Sequence, residues 1–176
     1  MAAEGLLVRS PIVGRPGPCC KAGPSPTDPE PMPTEPVMSR EAVIAYLDEV
    51  FPQIHHGGPG PVVEAVGPLT ASLRLPYHER HLRPGGTISG PAMMALADLA
   101  LYAAILASLG PVALAVTTNL SFNFMRKPAP RDLIGEARLM KLGRQLAVGE
   151  VLIRSAGEPD LVCHATGTYA IPPRRD

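Results

Sequence analysis

The chain has 176 residues, 16 basic and 16 acidic side chains, and 45% apolar residues. This length is sufficient for one domain with a proper hydrophobic core. The balanced charge gives no electrostatic case for binding nucleic acid or an anionic membrane. Three cysteines do not make a disulfide framework, so we expect a reducing, cytoplasmic setting. The N-terminus lacks a basic segment followed by a long apolar run, so no secretory signal is expected.

The N-terminal segment, residues 1–37, is rich in Pro, Gly, Ser and Thr and holds nine of the 22 prolines. A segment of this composition has few apolar groups to bury and cannot sustain helix or sheet hydrogen bonds. We therefore predict a disordered, polyproline-like extension over residues 1–37 and a folded domain over residues 38–173.

The first part of the folded domain predicts a short amphipathic helix, which Ser39 caps and Pro52 ends. Two strands are predicted next, at residues 62–66 and 69–75, followed by a polar, glycine-rich loop at residues 77–87.

A pair of adjacent histidines, His55 and His56, precedes the first predicted strand. No carboxylate or cysteine stands at metal-ligand spacing from them, so we expect neither a metal ion nor a cofactor.

The longest apolar stretch, residues 89–109, is helical in composition and carries one formal charge, Asp98. A helix that is apolar on every side must be surrounded. A membrane span is disfavoured because a carboxylate near its middle is costly and because the strands that follow need an apolar partner. A lone carboxylate in such a helix must be paired, neutral or functional.

Four strand patterns follow the helix, at residues 113–125, 133–141, 144–154 and 161–171. Small residues share one face of the last three: Gly135, Ala137, Ala147, Gly149, Ala165 and Gly167. A strip of small residues leaves room for a helix to lie close to the sheet. The pattern predicts an α+β domain in which a curled antiparallel β-sheet wraps one long central helix.

This order of elements resembles the hotdog-fold acyl-CoA thioesterases of the phenylacetate-degradation (PaaI-like) type, over about residues 40–172. In that family a loop of the form Asn-x-x-Gly-x-x-His-Gly-Gly precedes a helix that contains Leu-x-Asp. Here the loop reads Arg83-Pro84-Gly85-Gly86-Thr87-Ile88-Ser89-Gly90-Pro91, and the helix reads Leu96-Ala97-Asp98. Arg83, Ser89 and Pro91 therefore replace the family's Asn, His and second Gly.

Two downstream segments carry the same resemblance. Residues 116–122 are similar to the family's third strand, and Lys141-Leu142-Gly143-Arg144 is similar to its Lys-x-Gly-Arg turn. The resemblance implies hydrolysis of an acyl-CoA thioester to a carboxylic acid and CoA.

The groups needed for thioester hydrolysis have candidates at the start of the long helix and at Asp98. The free N–H groups at the helix start favour a developing oxyanion, so the Gly90 N–H is the predicted donor. Asp98 is the predicted general base or nucleophile, and these two roles stay open. A hydroxyl such as that of Thr117 or Thr118 is expected to contact the Asp98 carboxylate, and Thr117 is counted among the catalytic candidates.

The predicted substrate-binding residues are polar or glycine positions near the helix start, the strand ends and the turns. Arg126, Lys127 and Arg144 are candidates for the CoA phosphates. Arg83 could orient the thioester, bind a substrate carboxylate or face water, and Ser89 could contact the substrate or cap the helix. The remaining candidates are Gly86, Thr118, Asn119 and Gly143, and Tyr77, His78 and His81 could line an acyl pocket.

The spacing within the helix also bears on assembly. Asp98 lies seven residues after Pro91, which is about 10 Å along a helix axis. One thioester carbonyl cannot contact both Gly90 and Asp98 of a single chain, so we expect a homodimer, or a dimer of dimers, with sites at the interface. Two alternatives are a non-catalytic acyl-CoA binding or sensing module and, less favoured, a hotdog dehydratase, since no histidine is well placed in the helix-start motif.

Overall fold

The computed structural model describes residues 35–173. The predicted disordered extension lies outside the described residues except for its last three positions. The first element, helix α1, spans Arg40–Val50 and begins where Ser39 Oγ accepts a hydrogen bond from the Ala42 N–H at 3.2 Å. Val43 and Leu47 form its buried face. The predicted capping and amphipathic character of this helix are therefore confirmed.

The central helix α2 spans Gly90–Leu109, and 12 of its 20 residues are buried. It ends at Gly110, which adopts a φ of +89° and donates its N–H to the Leu106 carbonyl at 2.9 Å. Among residues 35–173, α2 is the one helix long and apolar enough to cross a membrane, and 67% of its apolar window is buried inside the domain. The sheet, rather than solvent, thus covers most of the helix surface.

Six strands form one antiparallel sheet that packs around α2. The strands, in chain order, are β1 (Val62–Gly67), β2 (Thr70–Leu75), β5 (Val116–Phe124), β6 (Leu133–Leu142), β7 (Leu146–Ser155) and β8 (Leu161–Ala170). Their order across the sheet is β1-β2-β6-β7-β8-β5. A separate small hairpin consists of β3 (Leu82–Arg83) and β4 (Thr87–Ile88) and leads directly into α2.

The small-residue strip lies on the face of the sheet that contacts α2, as predicted. A Cβ atom added at Gly149 would lie 2.7 Å from Leu101 Cδ2, and one added at Gly167 would lie 2.6 Å from Leu101 Cδ1. At Gly135 the nearest atom would be Leu96 Cγ, at 3.0 Å. Contacts this short leave no room for a methyl group, so the glycines set how deeply the helix sits in the sheet.

Three strand starts differ from the prediction. Strand β2 begins at Thr70 rather than at residue 69, where Leu69 adopts a φ of +59°. The first strand after α2 begins at Val116 rather than at residue 113, because residues 112–115 form a turn in which the Ala115 N–H donates to the Val112 carbonyl at 3.0 Å. Strand β7 begins at Leu146 rather than at residue 144. There the Gly143 N–H donates to the Leu146 carbonyl at 2.9 Å and closes the β6–β7 turn.

We predict that Gly149→Ala lowers the free energy of unfolding by about 2 kcal/mol, because overpacking a close-packed core forces side chains or backbone to shift. The added Cβ would meet the Arg138 carbonyl oxygen at 2.8 Å, and backbone yields less readily than a side chain. Chemical denaturation measures the change. Gly143→Ala is the matched control, since its Cβ would approach no atom closer than 3.4 Å. Equal stability of Gly149→Ala and the control would contradict the packing argument.

Candidate active site

The carboxylate of Asp98 lies half-buried in the third turn of α2 and is held through one of its two oxygens. Thr117 Oγ1 donates to Asp98 Oδ1 at 2.7 Å, and the Tyr169 hydroxyl lies 2.5 Å from the same atom. The Tyr169 hydroxyl is also 2.8 Å from the Asp98 carbonyl oxygen. Within residues 35–173, Asp98 Oδ2 has no hydrogen-bond partner. The carboxylate is therefore fixed in orientation while one oxygen stays available.

The two groups that hold Asp98 come from adjacent strands and face the helix together. Thr117 of β5 pairs with Tyr169 of β8 in the sheet register. The register shifts between Thr117 and Asn119, so Thr118 is an extra residue, and its hydroxyl donates to the Thr168 carbonyl at 3.1 Å. Such a bulge re-aims the side chains beside it. Of the predicted hydroxyls, Thr117 thus contacts Asp98 and Thr118 does not.

Tyr169 was not among the predicted site residues. It is 3% exposed, and burial, reinforced by its hydrogen bond to Asp98, raises the pKa of its hydroxyl well above the usual value. Tyr102 stacks on it with ring centroids 6.5 Å apart, and burial raises the pKa of Tyr102 to about 12. Tyr169 therefore remains a protonated hydrogen-bond donor across the neutral pH range. The one signal in the sequence was a tyrosine on a face of otherwise small residues.

A cleft of about 600 Å³ opens at Asp98. Its polar lining comes from Asp98, Thr117, Tyr102, Tyr169, Arg80 and His81, and the rest is apolar. The apolar walls are Val50, Phe51, Ile54, Pro61, Leu75, Ala92, Ala95, Leu99, Ala113, Ala115 and Val116. Such a lining favours an apolar ligand with a few polar anchor points.

The three aromatic or imidazole residues expected in an acyl pocket separate in the structure. His81 lines the cleft, whereas Tyr77 and His78 do not. His81 Nε2 accepts a hydrogen bond from Arg80 Nε at 3.0 Å, which requires a neutral imidazole. Burial, together with the charge of Arg80, lowers the pKa of His81.

Ser89 and Gly90 do not line this cleft, although Ala92 in the first turn of α2 does. The Gly90 N–H has no hydrogen-bond partner within residues 35–173, and Ser89 makes no side-chain cap, so one of its two expected roles is absent. A Cβ at Gly90 would lie 3.4 Å from the Phe124 ring. Eight residues of helix separate Gly90 from Asp98, about 12 Å along the axis. One chain alone does not bring the predicted oxyanion donor to the predicted carboxylate.

The glycine-rich loop before α2 is a tight hairpin. Gly86 adopts a φ of +71°, and its N–H donates to the Arg83 carbonyl at 3.1 Å. The left-handed conformation there requires glycine, so the structure gives Gly86 a turn-forming part. The Arg83 side chain is exposed and makes no ion pair within the described part of the chain.

The predicted CoA-binding residues fall into two groups. Arg126 and Lys127 follow the end of β5 near Phe124, and Arg126 forms an ion pair with Asp160. Gly143 and Arg144 lie in the β6–β7 turn. That turn adjoins the end of β8, because the Ile171 N–H donates to the Gln145 carbonyl at 2.8 Å. Phe124 lies seven positions after Thr117, which is about 23 Å along a strand. The first group therefore lies at the Gly90 end of the domain and the second at the Asp98 end.

Two further predicted features can be placed. Asn119 is exposed in β5, with no side-chain partner among the described residues. His55 pairs with Asp48 at 2.8 Å on the surface, and residues 35–173 contain no group of three His, Cys, Asp or Glu that could hold a metal ion.

Comparison with known proteins gives consistent matches. The family model described as the thioesterase superfamily matches residues 85–162. A crystal structure from a Silicibacter species, described as that of a proposed thioesterase, is 53% identical, with a TM-score of 0.72, and the match covers 80% of this chain and 96% of that one. No curated protein matches the chain.

More distant structures share the architecture. A mutant of the phenylacetic acid degradation protein PaaI from Thermus thermophilus is 28% identical over 64% of this chain and 94% of its own, with a TM-score of 0.57. Zebra fish thioesterase superfamily member 2 is 20% identical over 77% and 99%, with a TM-score of 0.65, and shows the fold alone. Together with the family match, these similarities confirm the predicted α+β hotdog fold.

We predict that Tyr169→Phe makes the free energy of unfolding fall less steeply with pH above about pH 10 than it does in wild type. The raised pKa means that the folded chain keeps a proton that the unfolded chain releases near pH 10. The contribution of Tyr169 to the free energy of unfolding is therefore fully present below about pH 10. Above that pH it falls by up to about 1.4 kcal/mol per pH unit. Urea unfolding between pH 8 and pH 11.5 measures the slope. Tyr77→Phe, which removes an exposed hydroxyl, is the control. Identical slopes for wild type and Tyr169→Phe would exclude the buried donor.

Proposed function

The chain belongs to the thioesterase superfamily, and from that premise we propose that it hydrolyses an acyl-CoA thioester to a carboxylic acid and free CoA. One observation carries the proposal: Asp98 has one oxygen held by Thr117 and Tyr169 and the other unpartnered, beside an apolar cleft of about 600 Å³. An oriented carboxylate with one free oxygen suits attack on a carbonyl carbon, directly or through water.

Asp98 can act in two ways. As a general base, Oδ2 takes a proton from water while the water oxygen attacks the thioester carbon; the C–S bond then breaks and the proton passes to the CoA sulfur. As a nucleophile, Oδ2 attacks that carbon, CoA leaves as the thiolate, and water cleaves the resulting anhydride. In both cases the hydroxyls of Thr117 and Tyr169 keep Asp98 Oδ1 in place, so that Oδ2 points to the substrate.

The developing oxyanion needs a donor that Asp98 does not supply. The Gly90 N–H at the positive end of α2 is such a donor and is unpartnered within the described residues. Because Gly90 lies about 12 Å from Asp98 along α2, the donor must come from a second copy of the chain.

The free edge of the sheet supports that assembly. Strand β5 is an edge strand, and it leaves Val116 55% and Phe124 51% exposed. An edge that has no partner strand within residues 35–173 and exposes an apolar residue at each end is a template for another strand. Antiparallel pairing of two β5 strands about a two-fold axis would set the Thr117 end of one against the Phe124 end of the other. Since Phe124 touches Gly90, this pairing would bring one chain's Gly90 toward its partner's Asp98.

The same arrangement would join the two groups of CoA candidates. Arg144 at the Asp98 end of one chain would approach Arg126 and Lys127 of the partner subunit. Three cations from two chains would then surround one CoA, whose phosphates favour arginine and lysine. We further propose that the chain forms a homodimer or a dimer of dimers. We also propose a cytoplasmic setting, on the basis of the cysteine usage.

We predict that Asp98→Asn lowers kcat for acyl-CoA hydrolysis at least about a hundredfold, since the amide can neither accept the proton nor attack. Release of free thiol from a panel of acyl-CoAs measures turnover. Asp48→Asn, which changes an exposed carboxylate paired with His55, is the matched control for loss of charge. Full turnover by Asp98→Asn would remove Asp98 from the mechanism. Binding of acyl-CoA by the wild type without any turnover would instead favour the non-catalytic binding module.

Single-turnover hydrolysis in oxygen-18 water tests whether Asp98 acts as a nucleophile. Label in the Asp98 carboxylate with an unlabelled first product identifies a nucleophile whose anhydride is cleaved by water at the Asp98 carbon. Label in the product acid alone is the result of a general base or of cleavage of the anhydride at the acyl carbon. Mass spectrometry of the acid and of the Asp98 peptide reads out both positions.

The shared site predicts complementation between inactive chains. Gly90→Pro removes the N–H donor, whereas Gly90→Ala keeps it; both suit the local backbone, because the preceding Ser89 is extended with a ψ of 155°. Mixing Gly90→Pro with Asp98→Asn should restore about a quarter of wild-type activity, since half of randomly formed dimers hold one intact site. No recovery after verified subunit exchange, or a monomeric wild type by light scattering, would contradict the shared site.

A further inference from the structure

Arg80 is a fixed cation in the wall of the cleft. Its Nη1 donates to the His56 carbonyl at 2.5 Å, its Nη2 donates to the Pro59 carbonyl at 3.1 Å, and its Nε donates to His81 Nε2. Three of the five N–H donors of the guanidinium are thus used, and all three acceptors are neutral. These bonds hold the Arg80 head in one position while leaving two donors free.

The charge of Arg80 has no counter-ion within residues 35–173. Six other arginines, Arg40, Arg74, Arg126, Arg131, Arg138 and Arg154, lie within 4.0 Å of a carboxylate there. No carboxylate lies that close to Arg80, although Arg80 and Asp98 line the same cleft. An unpaired guanidinium in a ligand cleft is suited to bind an anion.

The cleft runs along α2 from Arg80 toward Asp98. The Ser89 N–H donates to the His81 carbonyl at 2.7 Å, so the segment that carries Arg80 lies at the start of the helix. Asp98 follows nine residues after Ser89, about 13 Å along the axis. The helix residues between them that line the cleft are Ala92 and Ala95, whose small side chains leave space for a chain of methylene groups.

We propose that Arg80 binds a carboxylate at the far end of the acyl group, so that the preferred substrates are CoA thioesters of medium-length α,ω-dicarboxylic acids. This inference rests on the proposed thioesterase function. With the thioester carbon at Asp98, the acyl chain runs along the apolar wall toward the start of α2. Its terminal carboxylate accepts hydrogen bonds from the two free N–H groups of Arg80. An extended chain advances about 1.2 Å per bond, so chains of about six to ten carbons fit the span, allowing for the reach of the Arg80 side chain.

Two substrates of equal length and different ends test the proposal. Suberyl-CoA and octanoyl-CoA both carry eight-carbon acyl groups, and only suberyl-CoA ends in a carboxylate. We expect wild type to favour suberyl-CoA in kcat/KM by at least about tenfold, and Arg80→Gln to lose that preference, because a charge-assisted hydrogen bond is lost. Arg80→Lys should keep part of it. The ratio of the two substrates within one variant cancels any effect of Arg80 on folding or on the loop at His56 and Pro59.

A binding measurement keeps this proposal separate from the proposed function. Calorimetric Kd values for both thioesters are compared between Asp98→Asn and the double variant with Arg80→Gln. If wild type hydrolyses neither these thioesters nor any acyl-CoA of the panel, but the Asp98→Asn chain binds suberyl-CoA at least about tenfold tighter through Arg80, the hydrolase proposal fails and the Arg80 site stands. Preference for octanoyl-CoA, or a ratio unchanged by Arg80→Gln, overturns the Arg80 site whatever the turnover. Adipyl-CoA and sebacyl-CoA then define the preferred length.

Discussion

The close approach of helix α2 to the glycine positions of the sheet is the contact on which the rest of this structure depends. Gly135, Gly149 and Gly167 lack the Cβ atoms that would collide with Leu96 and Leu101. Because protein interiors pack at crystal-like density, a helix can sit this deep only where the sheet yields volume. The same depth carries Asp98 to within hydrogen-bond distance of β5 and β8. The packing of α2 in the core therefore also determines the orientation of the Asp98 carboxylate.

A single helix supplies both chemical ends of the proposed site, and its rigidity keeps them apart. Its first N–H groups suit an oxyanion, and Asp98 suits the attack on the carbonyl carbon, but about 12 Å of helix separates them. Nothing within one domain can shorten that distance without breaking α2. The exposed apolar edge at β5 offers the physical solution, since pairing of two edges buries Val116 and Phe124 and joins opposite ends of two helices. Assembly and catalysis are thereby coupled in the proposed function.

The cleft beside Asp98 has largely apolar walls and two charged side chains, Asp98 and Arg80. The way each of them is held therefore bears directly on what the cleft binds. Asp98 is held by two neutral hydroxyls rather than by a cation, so no positive side chain among the described residues pairs with its carboxylate. Arg80 is held by neutral carbonyl groups and an imidazole, so no carboxylate among those residues pairs with its guanidinium. Both charged groups are positioned by neutral partners. That arrangement differs from the outer surface of the sheet, where Arg138 with Glu150 and Arg154 with Glu136 neutralise each other.

The sequence by itself determined the two α-helices, the six strands of the large sheet and the order in which they occur, but not the short β3–β4 hairpin. Periodicity, caps and breakers are local, so α1, α2, the inward faces of β6, β7 and β8, and the lone carboxylate of Asp98 were all predictable. Composition alone also matched the small-residue strip to the helix that occupies it. Strand starts were less accurate at Val116 and Leu146, because turn hydrogen bonds involving Val112 and Gly143 claimed residues that the alternation pattern assigned to strands.

Only the tertiary structure decided which distant residues meet. Tyr169 reaches Asp98 because the register of β5 and β8 pairs it with Thr117, and the adjacent bulge turns Thr118 to the Thr168 carbonyl. The loop contacts that hold Arg80 in the cleft left no pattern in the sequence, and Gly86 proved to shape a turn. Register, bulges and loop closure are relations between segments far apart in the chain. They arise when the whole sheet closes on α2, and no local window of sequence contains them.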